Sequence, residues 1–155
     1  MDNFNNKIAV VTGGGTGMGR ELVLQLANEG CNVSMCDVIE ENMQETFDKA
    51  TEQFPDVKIT KHICDVSNEN DVIRFKDEVI AQQETDHVNL LFNNAGIGGG
   101  GSFIHSSREE WDRVFAVCWH GVYYCSRAFM PYILASEEAH IINTSSINGF
   151  WASLG

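Results

Sequence analysis

The stretch Thr12-Gly13-Gly14-Gly15-Thr16-Gly17-Met18-Gly19 constrains this chain more than any other. It follows the apolar run Ile8-Ala9-Val10-Val11 and precedes Glu21-Leu22-Val23-Leu24-Gln25-Leu26-Ala27. A short, unbroken, largely β-branched run suits a strand buried on both faces. Beyond the glycines, Leu22 with Leu26 and Val23 with Ala27 fall at the spacing of one helical face. A glycine-rich turn joining a buried strand to a helix is a place to hold phosphate. Free backbone N–H groups and the positive end of the helix dipole converge there, and glycine lets a ligand approach closely. The spacing does not fit G-x-G-x-x-G: counted from Gly13 the last position is Met18, and from Gly15 it is Arg20. No Gly-Lys-Ser/Thr follows, which excludes a Walker loop. The pattern that fits is T-G-x-x-x-G-x-G, on Thr12, Gly13, Gly17 and Gly19.

Strand and helix patterns then alternate, which predicts parallel strands with crossover helices. Gly30 marks a stop for the first helix. Asn32–Cys36 reads as a second strand ending at Asp37, and an acid-rich helix runs from about Glu40 to Gln53, stopped near Pro55. Val57–Ile63 alternates, as a strand nearer a sheet edge does. Ser67 or Asn68 caps a third helix, whose inner face carries Val72, Phe75, Val79 and Ile80. Val88–Phe92 is a fourth strand, running into Asn93-Asn94-Ala95-Gly96, and Gly98 to Gly101 reads as a flexible loop. Ser106 or Ser107 caps one long helix through Val114, Val117, Val122 and Phe129, with a kink or early stop expected at Pro131. Ile141–Thr144 is a fifth strand, followed by Ser145-Ser146-Ile147-Asn148-Gly149. Residues 1–155 read as one domain, with no repeat or linker.

Ligands of open parallel sheets bind beyond the carboxyl ends of the strands. Each conspicuous polar group falls at such an end: the glycine turn, Asp37, Asp65, Asn93 and Ser146. Asp37 lies 24 positions after Gly13, close to the ~20 expected of a carboxylate that accepts hydrogen bonds from an adenosine ribose. That carboxylate repels a 2′-phosphate, and neither Thr16 nor Val38 supplies a cation to bind one. NAD is expected in preference to NADP.

These residues carry a family resemblance. Thr12-Gly13-x-x-x-Gly17-x-Gly19, Asp37, Asp65-Val66, Asn93-Asn94-Ala95-Gly96 and Thr144-Ser145-Ser146-x-x-Gly149 together resemble the N-terminal part of a short-chain dehydrogenase/reductase. The resemblance implies a Rossmann-type three-layer α/β/α fold with a parallel sheet in the order 3-2-1-4-5. It implies hydride transfer between a nicotinamide and a secondary alcohol or ketone, with a small alcohol or carbonyl compound as substrate. It places Thr12, Gly13, Thr16, Gly17, Met18, Gly19 and Asp37 around the cofactor, Asp65 and Val66 beside the adenine, and Asn93, Ala95 and Gly96 along the cleft. Ser146 matches the serine that holds the substrate oxygen.

Two departures stand against it. The family's Tyr-x-x-x-Lys lies about a dozen residues beyond the serine, whereas only nine residues follow Ser146. The acid–base dyad is therefore absent from these residues, and the chain reads as truncated after the fifth strand. Cys118 occupies the position where the family often has a proton-relaying asparagine, and a thiol is a weak donor and acceptor. A copy lacking the dyad is expected to be inactive alone; the alternative is a non-catalytic NAD-binding module that regulates or docks a partner. Without the helix and strands that complete the family's fold, Trp119, Val122 and Tyr123 are left uncovered and the fifth strand is an open edge. That predicts self-association through the long helix around Arg108–Ser136.

The formal charge of −12 argues against nucleic acid or an anionic membrane as partner. Five scattered cysteines form no C-x-x-C pair, and the five histidines show no metal-ligand spacing. No stretch approaches the ~20 apolar residues that cross a bilayer, and the N-terminus lacks a signal-peptide core. A cytoplasmic protein with free thiols and no bound metal is the expectation.

Overall fold

The computed structural model describes residue 1, residues 3–99, residues 104–149 and residue 151. Five strands form one sheet: β1 (Ile8–Thr12), β2 (Asn32–Asp37), β3 (Ile59–Ile63), β4 (Leu90–Asn93) and β5 (His140–Asn143). Their order is β3-β2-β1-β4-β5 and every pairing is parallel. The helices are α1 (Gly17–Asn28), α2 (Glu40–Gln53), α3 (Glu69–Gln83), α4 (Arg108–Phe115) and α5 (Gly121–Ala135). The predicted order and the three-layer arrangement are both found.

Side chains alternate across the sheet and so build two cores. Ala9, Val11, Val33 and Met35 meet Val23, Leu26 and Ala27 of α1 and Ala50 of α2. Ile8, Val10 and Leu91 meet Val72, Phe75 and Val79 of α3 and Cys125, Phe129 and Ile133 of α5. The register sets Thr12 level with Cys36, and Asn93 level with Asn143. The polar strand ends therefore share one edge of the sheet.

Local chemistry explains most boundaries. Asn68, not Ser67, caps α3, accepting from the N–H of Asn70 at 3.0 Å. Ser107, not Ser106, caps α4, accepting from Glu110 N–H at 3.1 Å. Ladder pairing of β3 begins at Ile59 rather than Val57.

The long helix is found, continuous from Arg108 to Ala135 with one π-helical turn inside it, whereas the early stop at Pro131 is not. A π-helical turn, Ala116–His120, separates α4 from α5, closed by the Gly121 N–H on the Ala116 carbonyl. The turn brings Gly121 against Val66, where a Cβ would lie 2.8 Å from Val66 Cγ2. Pro131 lies inside α5, which continues to Ala135. Proline removes one helical donor, but Pro131 and Arg127 both face solvent, where water can satisfy the freed carbonyl. Of the glycine-rich loop, Gly100 to Phe103 lies outside the described residues.

A polar chain is buried beneath α3. Ser34 and Thr60 hydroxyls lie 2.7 Å apart, Thr60 reaches His62 Nε2 at 2.9 Å, and His62 Nδ1 meets Glu78 at 2.9 Å. Burial lowers the His62 pKa below the ordinary value near 6.5, outweighing the pull of Glu78 in the other direction. Unfolded chains take up this proton at a higher pH than the native state does, so stability falls as pH drops through about 6.5. The expected result is a melting temperature that declines between about pH 7.5 and pH 5.5, and less steeply in His62→Gln. Equal slopes for the two proteins would show that His62 does not set the dependence.

Candidate functional site

Beyond the carboxyl ends of the strands the sheet opens into a cleft of about 490 Å³, within the range of small-ligand sites. Four strand ends contribute to it. Gly13, Thr16, Met18 and Gly19 follow β1, and Cys36 to Ile39 follow the body of β2. Cys64 to Ser67 follow β3, Asn94 to Ile97 follow β4, and Arg113 and Val117 descend from above.

The glycine turn is built to stay open. A Cβ on Gly19 would stand 2.0 Å from the Gly13 carbonyl oxygen and 2.7 Å from Asn94 Nδ2, so the approach of helix to turn requires glycine. The Thr16 side chain does not cap α1, and the first turn of α1 holds no acidic residue. The bond from Arg20 N–H to the Thr16 carbonyl opens the helix, which leaves the N–H groups of Gly17, Met18 and Gly19 without intrahelical acceptors. These donors and the helix dipole suit an anion, and the cradle that a Cβ would fill suits a diphosphate. Arg20 does not serve that anion. Its guanidinium is spent on the Gly15 carbonyl at 2.7 Å, on Thr46 and on Glu45, and so fastens the turn to α2.

Asp37 sits at the next strand end, half-buried. One carboxylate oxygen accepts from the N–H groups of Val38 and Ile39 at 2.8 and 3.2 Å; the other accepts from Gly15 N–H at 3.1 Å. The side chain thus caps its own turn and fixes the glycine turn at once. Each oxygen keeps lone-pair capacity toward the cleft. Asp65 is exposed and held by the N–H and hydroxyl of Ser67, at 2.9 and 2.7 Å. Cys36 and Cys64 form part of the cleft floor. Burial, with Cys64 beside it, pushes the Cys36 thiol well above its usual range, so Cys36 brings no charge to the cleft. Burial likewise pushes Cys125, beneath the floor, to about 12.

Most of the predicted cofactor residues converge here: Gly13, Thr16, Met18, Gly19, Asp37, Asp65, Val66, Ala95 and Gly96 all line the cleft. Three do not. Thr12 is buried, and its hydroxyl accepts from the N–H groups of Asn94 and Ala95 at 3.0 and 2.9 Å, so it ties β1 to the end of β4. Asn93 is buried beneath the cleft, its amide donating to Ser126 at 3.0 Å and to Asn143 at 2.8 Å. Gly17 acts through its backbone, at φ +54°, as the first residue of α1. Ser146 is exposed outside the cleft lining, just before the 3-10 turn Ile147–Gly149. Cys118 is exposed in the π-helical turn, its Sγ donating to the Ile97 carbonyl at 3.5 Å.

Asn94 was missed, although it comes directly after Asn93. Its side-chain amide donates to the Thr12 carbonyl at 3.0 Å and contacts the Gly13 carbonyl at 3.4 Å, which braces the glycine turn. Arg113 and Val117 were also missed as cleft residues, because only the docking of α4 brings them over the strand ends.

Strand order and flanking helices define a Rossmann-type fold, with the cleft at the carboxyl ends of its strands. Residues 7–155 match the family model described as short chain dehydrogenase. The chain belongs to the short-chain dehydrogenase family, and the relatives it matches are oxidoreductases. It is 31% identical to a meso-2,3-butanediol dehydrogenase of Serratia marcescens over 152 residues, covering 98% of this chain and 58% of that protein. A short-chain dehydrogenase/reductase of Burkholderia phymatum, solved in complex with NAD, superposes with a TM-score of 0.91 at 35% identity, covering 99% of this chain and 53% of the other. A metagenomic short-chain oxidoreductase in complex with NADP gives 0.84 at 30% identity, covering 92% of this chain and 63% of the other. The chain thus spans about half the length of the curated relatives it matches. Among the described residues no helix is long and apolar enough to cross a membrane.

Proposed function

We propose that this chain forms the NAD-binding part of a dehydrogenase that moves hydride between a nicotinamide and a secondary alcohol or ketone. One observation carries the reading: the uncapped N-terminus of α1 opens over the glycine cradle with the Asp37 carboxylate at the neighbouring strand end. A bound nicotinamide dinucleotide would supply the hydride acceptor or donor. The chain's own residues bind and orient. N–H groups of Gly17 to Gly19 hold the diphosphate, and Asp37 accepts hydrogen bonds from the adenosine ribose hydroxyls. Asp65 and Val66 border the adenine, Ala95 and Gly96 line the middle of the cleft, and Ser146 holds the substrate oxygen. No Tyr-x-x-x-Lys follows Ser146 within the 155 residues. Among these residues none is assigned to proton transfer at that oxygen.

NAD is favoured over NADP because Asp37 opposes a 2′-phosphate and no cation stands at Thr16 or Val38. Titration of tryptophan fluorescence with each nucleotide tests both claims. Tighter binding of NADP than NAD overturns the Asp37 inference, and binding of neither overturns the function. Asp37→Asn retains an acceptor oxygen but loses the charge. It is expected to weaken NAD about tenfold, the value of a charge-assisted hydrogen bond, and to narrow the gap to NADP.

Self-association through Arg108–Ser136 belongs to the same proposal. Trp111, Phe115, Trp119 and Tyr123 recur every four residues there, all exposed, with Trp119 61% exposed. An uncovered aromatic stripe of this kind favours a partner surface.

A further inference from the structure

Arg113 stands apart from the other cations of this chain. The sequence holds ten lysines and arginines against 22 acidic residues. Eight of the ten form ion pairs with carboxylates, among them Arg20, Arg74 and Arg108. Arg127 lies over the Tyr123 ring and donates to its hydroxyl at 3.0 Å. Among the described residues Arg113 has neither a carboxylate nor a ring against it, and it is the one cation lining the cleft.

Its place in the cleft narrows what it serves. Arg113 precedes Val117 by four residues, and both line the side that comes down from α4. Val117 packs on the core cluster that contains Val66, and the contact of Gly121 with Val66 closes α5 against the same strand end. The diphosphate cradle belongs to α1, which covers the opposite face of the sheet. Arg113 shares the cleft lining with the apolar residues Val66 and Val117, and with Val38 and Ile39 beyond β2. A flat, weakly hydrated guanidinium that shares a lining with apolar side chains fits the face of a planar base better than it fits a phosphate.

We infer that Arg113 binds the adenine ring of the dinucleotide, stacking its guanidinium on the outer face of the base while Val66 and Val117 hold the inner face. The inference rests on the nucleotide-binding reading above and adds a residue to its adenosine end. An arginine in this role contributes through its plane, so lysine is a poor substitute.

The test is a binding titration on the 155-residue chain with NAD, AMP and nicotinamide mononucleotide, for wild type, Arg113→Gln and Arg113→Lys. Both variants are expected to weaken NAD and AMP about threefold to tenfold, the range of a cation–π contact at a partly exposed site. Nicotinamide mononucleotide, which lacks adenine, is expected to bind all three proteins alike. Because Arg113 is exposed, unchanged melting temperatures are expected to accompany these shifts. Unchanged NAD and AMP affinity in both variants overturns the inference. Full affinity in Arg113→Lys also overturns it, since a point charge would then suffice and the partner would be phosphate. Failure of the wild-type chain to bind NAD or AMP overturns the nucleotide-binding reading instead.

Discussion

Phe75→Ala is expected to remove about 3–5 kcal/mol of folding stability, the cost of deleting a fully buried aromatic ring. Phe75 is 0% exposed on the inner face of α3. Its ring centre lies 5.6 Å from that of Phe129, edge to face, and 5.2 Å from that of His62. The ring therefore joins α3 to α5 and screens the buried Ser34–Thr60–His62 chain in one contact. Its removal leaves a void between helices that the sheet prevents from closing. For a chain of this size the melting temperature is expected to fall by about 10 °C. Urea unfolding of the two proteins measures the loss directly. A change below about 1 kcal/mol would mean that α5 can settle into the space, contrary to the packing described.

Gly19→Val is expected to raise the dissociation constant for NAD by more than about 100-fold, a loss near 2.7 kcal/mol. The nearest atom to its Cβ, at 2.0 Å, would be the Gly13 carbonyl oxygen, which is backbone and has no rotamer with which to escape. The turn or the helix must move, and either movement carries the N–H donors of Gly17 and Met18 away from the cradle. Gly17→Ala makes the comparison. Its Cβ meets nothing within 4 Å, so the substitution costs only the strain of φ +54°, about 1–2 kcal/mol. Folding is expected to weaken modestly while nucleotide binding survives. Titration of both variants with NAD separates the two cases. If Gly19→Val binds NAD as wild type does, the phosphate does not sit in this cradle.

Much of the fold was legible because the features that encode it are local. Ile8–Val11 is an apolar run and Val33–Cys36 one broken only by Ser34, both buried on both faces, and the periodic faces of α1 and α3 name their core residues directly. The glycine spacing and Asp37 sit on consecutive strand ends of a parallel sheet, so order along the chain became neighbourhood in space. Boundaries were less legible. Val57 lies in a strand-like run but outside the ladder, because pairing is a property of two strands and β2 offers partners only from Ile59 onward.

Thr12 and Asn93 stand apart from the cleft lining for a related reason. Both stand at strand ends, but a strand end has two sides, and the sequence does not say which side chain turns toward the cleft. Thr12 turns to the N–H groups of Asn94 and Ala95, and Asn93 turns beneath the cleft to Ser126 and Asn143. Asn94, the neighbour of both, faces the glycine turn.

The primary structure was enough for the class of fold, the glycine cradle and the carboxylate beside it, because each depends on spacing within a strand–turn–helix unit; the strand order was implied by the family resemblance that those residues carry. Three matters needed the folded chain. One is the π-helical turn at Ala116–His120, which arises where α5 meets Val66. Another is the burial of Cys36 and Cys64 in the floor of the cleft. The last is the descent of Arg113 into a cleft whose first wall, at Gly13, lies 100 residues before it. Each depends on contacts between segments far apart in sequence. Local pattern carries no record of such contacts until the sheet has brought the segments together.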